Sequence, residues 1–463
     1  MLNNSQTALT STIAAIATPI GRGGVGVIRL SGPNSYQIAL ALTGRQAFKP
    51  RFAHFCRFYD RDNTVIDEGL VLYFPAPHSF TGEDVIEMQG HGGMILQQQL
   101  LTRVFELGAN QAVAGEFSAR AFDNDKLDLV QAEAIADAID ATSVAAAKSA
   151  MRSLTGEFSQ KINALLEQLI QLRLYVEAAI DFPDEEGVDF LADEHIAKQL
   201  RQVCEQLNNV LATAKQGQLL RDGVSVVIAG RPNAGKSSLL NRLAGQERAI
   251  VTDIAGTTRD ILQETIVLNG LTLNLTDTAG LRQTDDIVEQ AGIERARQAI
   301  TQADLLLMVY DAHREHEPLR LATELFGSLP NANSILMIAN KIDLSDNHQN
   351  LPKQFSSQEQ IYHPVYVSCK YGTGLEELVN QICDKVGFHP PENSLIARTR
   401  HLDALRRTQM ALQEADEQLH LFHAGELVAE SLRQAQLSLN EITGEFTADD
   451  LLGKIFGSFC IGK

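Results

Sequence analysis

The sequence predicts a multidomain fold: an N-terminal α+β domain, then a discontinuous α-helical domain with an α/β domain inserted into it. Three observations predict it. Short β-prone runs and two helices fill residues 1–118, apolar stripes with helical spacing flank residues 223–388, and strands alternate with helices inside that segment. We expect domain bounds at 1–118, 119–222, 223–388 and 389–463, with the second and fourth segments forming one helical domain. Three independent domains in series are the alternative.

The first segment contains short strands, two helices and glycine-rich loops. The predicted strands span 13–17, 25–30, 53–59, 68–74 and 85–89, and the predicted helices span 35–42 and 93–107. Glycines at 21–24 and 90–93 permit positive φ or close approach of the backbone to a ligand. Such loops alone are weak evidence for a binding site.

Long helices are predicted on both sides of the inserted domain. Apolar residues recur at spacings of three and four from Leu154 to Ile180, which predicts a helix of about seven turns. Further helices are predicted at 194–215, 399–423 and 426–442. An inserted domain is tolerated when its two ends lie close together, so we expect that of residues 223–388.

Composition and charge limit the functions that we expect of this chain. The 463 residues carry a formal net charge of −19, and none of the four segments is net basic. A nucleic-acid partner would therefore need local basic spots or a second protein. No apolar run is long enough to predict a membrane span, and residues 1–19 do not resemble a secretory signal. Five scattered cysteines without a CxxC pair argue against zinc or disulfides, and we expect a cytoplasmic protein.

Residues 230–237 form a GxxxxGKS phosphate loop between an apolar strand at 224–229 and a helix at 238–243. A strand, glycine loop and helix N-terminus direct backbone N–H groups at an anion. Lys236 can reach the β- and γ-phosphates, and the Ser237 hydroxyl can ligate Mg²⁺. The residues predicted to contact the nucleotide here are Asn233, Ala234, Gly235, Lys236, Ser237 and Ser238.

Three later motifs, each after a predicted strand, indicate that the nucleotide is GTP. Asp277, Thr278, Ala279 and Gly280 follow the strand at 271–276, where Asp277 can hold Mg²⁺ through water and the Gly280 N–H can face a γ-phosphate. Asn340, Lys341 and Asp343 follow the strand at 334–339, and an Asp carboxylate can accept two N–H bonds from guanine. Ser368, Cys369 and Lys370 follow the strand at 365–367 and fit the loop behind the base. The inserted domain is therefore predicted to be a Ras-like α/β GTPase domain, with a hairpin at Asn269-Gly270.

The chain resembles the MnmE (TrmE) family of tRNA-modification GTPases over essentially its whole length. The resemblance rests on the runs at 17–26, 80–84, 90–93, 115–122, 126–129 and 256–260, and on the terminal Cys-Ile-Gly-Lys. It implies modification of the tRNA wobble uridine at C5 with an aminomethyl or carboxymethylaminomethyl group. It also implies a partner, MnmG, that binds FAD and NADH, in a heterotetramer or larger complex. The N-terminal domain would form a homodimer and bind a tetrahydrofolate donor, in its 5-formyl or 5,10-methylene form.

The resemblance also implies potassium-stimulated hydrolysis. The matching nucleotide loop is Thr252, Asp253, Ile254, Ala255, Gly256, Thr257 and Thr258. Mg²⁺ would be held by Ser237 and Thr258, and K⁺ by Asn233, Thr252, Ile254 and Thr257. Leu281 stands where many small GTPases have a glutamine that orients water. The resemblance assigns that role to Glu289, although the residue taken by itself is more simply interpreted as a surface glutamate on a mobile loop.

Two further sets of residues follow from the resemblance. Arg29, Glu87, Lys126 and Lys463 match the folate site. Cys460 is either a nucleophile on C6 of uracil or a small buried residue of the family signature. The alternative function is an assembly or signalling GTPase that binds RNA or a partner without one-carbon chemistry.

Overall fold

The computed structural model describes residues 11–19, 21–181, 194–245, 263–277, 299–344, 351–357, 359–389, 394–422, 424–445 and 449–462. The chain divides into two compact units, each discontinuous in sequence. Unit 1 comprises Met1–Ala136, Leu154–Ile170 and Leu432–Lys463, and unit 2 comprises Asp137–Ser153 and Gln171–Ser431. The predicted bounds of the four segments remain predictions.

Unit 1 contains a six-stranded sheet. Its strands are β1 (Ile13–Ile16), β2 (Gly23–Ser31), β3 (His54–Tyr59), β4 (Val65–Phe74), β5 (Val85–Gly92) and β6 (Asn110–Gln111). The order across the sheet is β3-β4-β5-β2-β1-β6, and all neighbours are antiparallel except β1 and β6. The five predicted strands are all present with shifted ends, and only the two-residue β6 was not predicted.

The two faces of this sheet differ. Alternating apolar residues of one face, such as Ile28, Leu30 and Met88, pack on helices α1 (Ser35–Thr43) and α2 (Met94–Glu106). Since side chains alternate along a strand, Arg29 and Glu87 belong to the other face. Ile13, Ala15 and Phe117 bury part of that face in a small separate cluster.

Unit 2 contains the sheet of the inserted domain. Its strands are β7 (Val224–Ala229), β8 (Gln263–Leu268), β9 (Leu271–Asp277), β10 (Leu305–Asp311), β11 (Ile335–Asn340) and β14 (Pro364–Tyr366). The order is β14-β11-β10-β7-β9-β8, with β8 antiparallel to β9 and every other pair parallel. This is the predicted doubly wound sheet with one antiparallel edge pair. The short strands β12 (Phe355–Ser357) and β13 (Gln360–Tyr362) form a separate hairpin.

The remaining helices include the predicted ones, three of which differ clearly from their predicted bounds, and several for which no bounds were predicted. They are α3 (Glu116–Asp123), α4 (Leu129–Ile139), α5 (Val144–Leu154), α6 (Glu157–Asp181), α7 (Glu194–Asp222), α8 (Lys236–Ala244), α9 (Pro318–Phe326), α10 (Leu375–Val386), α11 (Thr399–Glu417), α12 (Gly425–Thr443) and α13 (Asp449–Gly457). The helix predicted from Leu154 begins instead at Glu157, because Gly156 takes a φ of +91° and breaks the helix. Helix α7 continues to Asp222, which places its end directly before β7. Five residues of π-helix, Gln418–Phe422, follow α11.

The two ends of the inserted domain lie close together, as predicted. The Gln216 side chain on α7 donates to the Gly387 carbonyl at 2.7 Å and accepts from the His389 N–H at 2.8 Å. The Asp137 carboxylate binds Arg221, just before β7, and Arg398, just before α11, with N–O distances of 2.8 Å to each. One buried carboxylate therefore joins the chain segments that enter and leave the domain.

Within the described residues, no helix combines the length and the apolar character that crossing a membrane requires.

Candidate functional sites

The phosphate loop lies between β7 and α8 and depends on two glycines. A Cβ on Gly230 would lie 2.1 Å from the Val309 carbonyl oxygen, so only glycine fits against β10. Gly235 has a φ of +101°, and a Cβ there would lie 2.1 Å from Nδ2 of Asn340. The loop therefore has the close backbone packing that lets its N–H groups face an anion.

Lys236 and its neighbours are placed to meet a phosphate. Lys236 Nζ donates to the Gly230 carbonyl at 2.8 Å and to the Arg231 carbonyl at 3.4 Å, so its ammonium lies over the loop. Ser237 is exposed in the first turn of α8, where its hydroxyl can reach a cation beside the phosphates. Asn233 is exposed in the loop with a φ of +62°. The Lys236 ammonium suits a phosphate chain, and the Ser237 and Asn233 side-chain oxygens suit an accompanying cation.

Asn340 joins the phosphate loop to the loop after β14. Its amide donates to the Ala234 carbonyl at 2.9 Å and accepts from the Cys369 N–H at 3.2 Å, and the residue is buried. Asn340 was predicted as a nucleotide-binding residue. Its side chain acts here as a brace between two predicted nucleotide loops.

Asp343 is held by Ser368. The Ser368 hydroxyl donates to Asp343 Oδ1 at 2.6 Å and accepts from the Tyr371 N–H at 3.3 Å. Oδ2 of Asp343 accepts no hydrogen bond from the residues that the structure describes. The carboxylate is thereby oriented while one oxygen is kept for a ligand donor.

Two residues that sequence reasoning missed support this site. Asp311, at the end of β10, pairs with Lys341 at 2.8 Å, and Lys341 has a φ of +64°. Burial is the largest single influence on Asp311 and works to raise its pKa, but the hydrogen bonds from Lys341 and the His313 N–H, together with the nearby positive charges, lower that pKa. Arg242 donates to the Cys369 carbonyl at 3.0 Å and the Lys370 carbonyl at 2.8 Å. The polar ending of β10 was a usable signal for Asp311, whereas no local pattern marked Arg242.

Several predicted residues lie outside the described residues. They are Thr252, Asp253, Ile254, Ala255, Gly256, Thr257, Thr258, Thr278, Ala279, Gly280, Glu289 and Lys463. Asp277 ends β9, as its motif predicts. Within the described part of the chain, no three His, Cys, Asp or Glu side chains form a group that could hold a metal ion.

Arg29 and Glu87, predicted from separate strands, form a direct pair. They are register partners on β2 and β5, and Arg29 Nε and Nη2 donate to Glu87 Oε1 at 3.0 and 2.8 Å. The Arg29 guanidinium also lies 5.5 Å from the ring centre of Phe80 and 5.8 Å from that of Phe117. Among the described residues, Oε2 of Glu87 has no hydrogen-bond donor, so it can accept from a ligand.

Lys126 lies near the same loop. A Cβ on Gly82 would lie 3.2 Å from Cε of Lys126, and Phe80 two residues earlier stacks on Arg29. The loop 80–82 therefore contacts both predicted folate residues.

The C-terminal tail packs on the same unit. The Gly115 N–H donates to the Cys460 carbonyl at 3.4 Å, and Ala114 forms a β-bridge with Ile461. A Cβ on Gly462 would lie 2.4 Å from the Ile16 carbonyl oxygen, at the end of β1. Cys460 is exposed rather than buried as a small apolar residue. Ile16 follows Ala15 on β1, and Ala15 is the register partner of Arg29. The tail therefore lies beside the cross-strand row that contains the Arg29–Glu87 pair.

Comparison with known proteins places this chain in a family. The family model for the MnmE helical domain matches residues 129–460, and that for the N-terminus of the GTP-binding protein TrmE matches residues 12–126. The tRNA modification GTPase MnmE of Psychrobacter arcticus is 73% identical over 470 residues, covering 100% of this chain and 98% of the relative. The proteins of that name from Psychrobacter sp. and from Acinetobacter baumannii strain AYE are 71% and 62% identical; each match covers 98% of this chain, and 99% and 98% of the relatives. The helical-domain match encloses the α/β sheet of unit 2, which confirms the predicted discontinuous helical domain with an inserted Ras-like domain, and the chain belongs to the MnmE family of tRNA modification GTPases.

Proposed function

We propose that this chain is a potassium-stimulated GTPase that acts with MnmG on tRNA. The pair forms the aminomethyl or carboxymethylaminomethyl group at C5 of the wobble uridine, and a tetrahydrofolate derivative supplies the carbon. The observation that carries this proposal is the C-terminal tail beside the Arg29–Glu87 row in unit 1. An assembly or signalling GTPase, the alternative, has no use for such an arrangement.

Guanine selection is supported by the contacts around Asp343. Ser368 occupies Oδ1, so the free Oδ2 and the remaining lone pair of Oδ1 can accept the N1 and N2 hydrogens of guanine. Adenine offers no such donor pair and would leave the carboxylate unpaired. The Asn340 side chain connects the loop after β14 to the phosphate loop. The residues proposed to bind the base and those proposed to bind the phosphates therefore belong to one hydrogen-bonded structure.

The residues for phosphate and cations fit hydrolysis of GTP. Lys236 would exchange its loop carbonyls for β- and γ-phosphate oxygens, while Ser237 and Thr258 would hold Mg²⁺. The exposed Asn233 amide offers one neutral oxygen, which suits K⁺ together with Thr252, Ile254 and Thr257. Bound there, the two cations would neutralise charge that develops on the phosphates. Glu289 would orient the attacking water, because Leu281 has no group that can do so.

The folate proposal is supported by the chemistry of the pair on β2 and β5. A pterin edge presents an amide-like N–H and an exocyclic amine, and the Glu87 carboxylate can accept both. Arg29 orients that carboxylate through their ion pair, and it or Lys126 can meet the anionic glutamate tail. Lys463 and the chain-terminal carboxylate would complete the site. We further propose that residues 1–118 form a homodimer, that MnmG joins it in a heterotetramer or larger complex, and that the complex is cytoplasmic.

The decisive experiment is mass spectrometry of tRNA wobble nucleosides from cells that lack this protein. We expect the C5-modified uridines to disappear and to return when the chain is supplied again. An Asp343→Asn chain, supplied at equal level, should fail to restore them. Unchanged wobble nucleosides in the deletion would favour the assembly or signalling GTPase.

Folate binding has its own test by titration calorimetry. Arg29→Ala should weaken binding of 5-formyltetrahydrofolate, because the carboxylate partner and the stacked cation are both lost. Arg57→Ala is the matched control, since it removes another cross-strand Arg–Glu pair, with Glu68, from the same sheet. Equal affinities of the parent and the Arg29 variant would remove folate from the proposal.

A further inference from the structure

Residues 45–61 form a locally basic segment in an acidic protein, here called the basic strip. The segment contains Arg45, Lys49, Arg51, Arg57 and Arg61 against one acidic residue, Asp60, so its formal net charge is +4 while the whole chain carries −19. Four phenylalanines are interleaved with these cations. Basic residues alternating with aromatic residues are the composition that single-stranded RNA surfaces use.

The cations of the strip are at the surface, and so are two of its rings. All five cationic residues are exposed, and Phe52 and Phe55 are 52% and 62% exposed. Lys49 Nζ lies 5.6 Å from the ring centre of Phe52. Arg57 makes only a long contact of 3.5 Å with the exposed Glu68. Within the described residues, therefore, the charges are only weakly neutralised.

The strip also occupies a defined place on the sheet. Strand β3 is an edge strand, and its Cys56 and Phe58 enter the core with α1 and α2. Phe55 and Arg57 therefore belong to the opposite face, which also carries Arg29 and Glu87.

Register shows how near the two features are. Phe55 pairs with Leu70 and Leu70 with Gln89, while the adjacent row joins Leu72, Glu87 and Arg29. From β3 to β2 is three strand spacings, or about 14 Å. One RNA loop could therefore contact the strip and reach the neighbourhood of the Arg29–Glu87 pair.

We propose that the basic strip binds an unpaired loop of the tRNA substrate, with its cations on phosphates and with Phe52 and Phe55 stacked on bases. This inference rests on the proposed function, and it adds the place on the protein at which the RNA binds. The interleaved exposed rings favour RNA over an anionic membrane or a second copy of the chain.

The charge part of the proposal is tested with the full-length protein and a fluorescent anticodon stem-loop RNA. The variant is Lys49→Gln with Arg57→Gln and Arg61→Gln, and fluorescence anisotropy is measured at several KCl concentrations. We expect affinity to fall at least about tenfold and the slope of log affinity against log salt to fall by about 2, as expected for three lost phosphate contacts. The matched control, Lys148→Gln with Lys161→Gln and Lys198→Gln, removes three exposed charges elsewhere and should leave both quantities near the parent values.

The stacking part uses Phe52→Ala with Phe55→Ala. This variant should weaken binding at least about thirtyfold with an unchanged salt slope, since two stacked bases are lost and stacking is independent of charge. Phe52→Leu with Phe55→Leu keeps apolar area and loses the rings, so it should weaken RNA binding nearly as much. GTP hydrolysis without RNA should match the parent in every variant, which shows that the chains are folded.

Three results would overturn the inference. One is RNA affinity unchanged in the charge variant. Another is conversion from dimer to monomer in light scattering with RNA affinity unchanged, which would assign the strip to self-association. The third is loss of binding to phosphatidylserine vesicles with RNA affinity unchanged. The proposed function fails separately. If the parent protein binds RNA through the strip, but cells that lack the whole protein keep their modified wobble nucleosides, only the proposed function is contradicted.

Discussion

The Ser368 hydroxyl donates a hydrogen bond to Asp343 at 2.6 Å, and this contact joins the two loops that follow β11 and β14. The second serine bond, from the Tyr371 N–H, fixes the hydroxyl, so its hydrogen is directed at the carboxylate. A carboxylate held from behind cannot rotate away when guanine arrives. We therefore propose that base selection in this chain depends on both residues rather than on Asp343 alone.

Replacing Asp343 should change the base that the site prefers. Asp343→Asn presents an N–H where guanine has its 2-amino group, so GTP affinity should fall at least about a hundredfold, as expected for unpaired buried donors. Xanthosine triphosphate has a carbonyl at that position and should bind better to the variant than to the parent. Ser368→Ala should cost only about tenfold, the value of one hydrogen bond. Calorimetry with both nucleotides checks this, and undiminished GTP binding by Asp343→Asn would contradict it.

How much of this site the sequence predicts depends on whether the residues are local. The phosphate loop and the motifs after β9, β11 and β14 are contiguous strings, each at the end of a strand, and β7 was predicted at its observed bounds. The hydrogen bonds from Arg242 to the loop 369–370 join residues about 127 positions apart in sequence, so no local sequence motif reveals them. The helix break at Gly156 was missed because apolar spacing continues through it, and the backbone φ is invisible in the pattern.

The potassium dependence of GTP hydrolysis is predicted to require the Asn233 side chain. In the parent, GTP hydrolysis should be at least about tenfold faster in KCl than in NaCl, since a transition-state cation contributes rate as an arginine finger does. Asn233→Ala should erase the difference between the two salts. Because Asn233 has a φ of +62°, alanine there is also strained, so Asn233→Gly serves as the control that lacks the amide without the strain. Equal rates of the parent in both salts would exclude the potassium site.

Glu289 is predicted to act on the attacking water and not on nucleotide binding. Glu289→Ala should lower single-turnover hydrolysis at least about tenfold, the usual contribution of a positioned acid–base group, with GTP affinity within about twofold. Glu289→Gln can still orient water but cannot take a proton, so the two variants separate those roles. Rapid-quench measurements check the rates, and parent-like hydrolysis by Glu289→Ala would dismiss the assignment.

The His91–Asp67 pair should make unit 1 sensitive to pH. His91 Nδ1 lies 2.6 Å from Asp67 Oδ1, and this hydrogen bond is the main cause that raises the pKa of His91 above its ordinary 6.5. Burial works to raise the pKa of Asp67, but the hydrogen bonds from His91 and from the Glu68 N–H outweigh it and lower that pKa. The stabilisation by protonated His91 is complete below pH 6.5 and is lost as pH rises through the higher folded pKa. The contribution of Asp67 is lost at the acid end, as pH falls through its lowered pKa.

Titration of ¹³C-labelled histidines by NMR checks the pair. In the parent, the His91 signal should titrate above 6.5, and Asp67→Asn should move its midpoint back toward 6.5. Glu68→Gln removes only a weaker, neighbouring charge and should move the midpoint less. An Asp67→Asn midpoint identical to the parent would show that the pair does not form in solution.

The Asp137 clamp should be the most sensitive charged site for the stability of unit 2. Its carboxylate side chain is 4% exposed and is shared by Arg221 and Arg398, so Asp137→Ala leaves two arginines without their common partner. Removing one member of a buried pair costs about 3–5 kcal/mol, and we expect the lower part of that range because Arg221 keeps its contact with Asp222. Asp140→Ala removes an exposed carboxylate three residues away and should cost under about 0.5 kcal/mol. Hydrogen exchange of the buried residues 394–397 measures the loss locally, and their protection should fall in Asp137→Ala. GTP affinity should be retained, because the Asp137 carboxylate bonds to Arg221 and Arg398, and neither is a predicted nucleotide-binding residue. Unchanged protection there would mean that the serine contacts from α5 to Ser394 and Ile396 hold this segment by themselves.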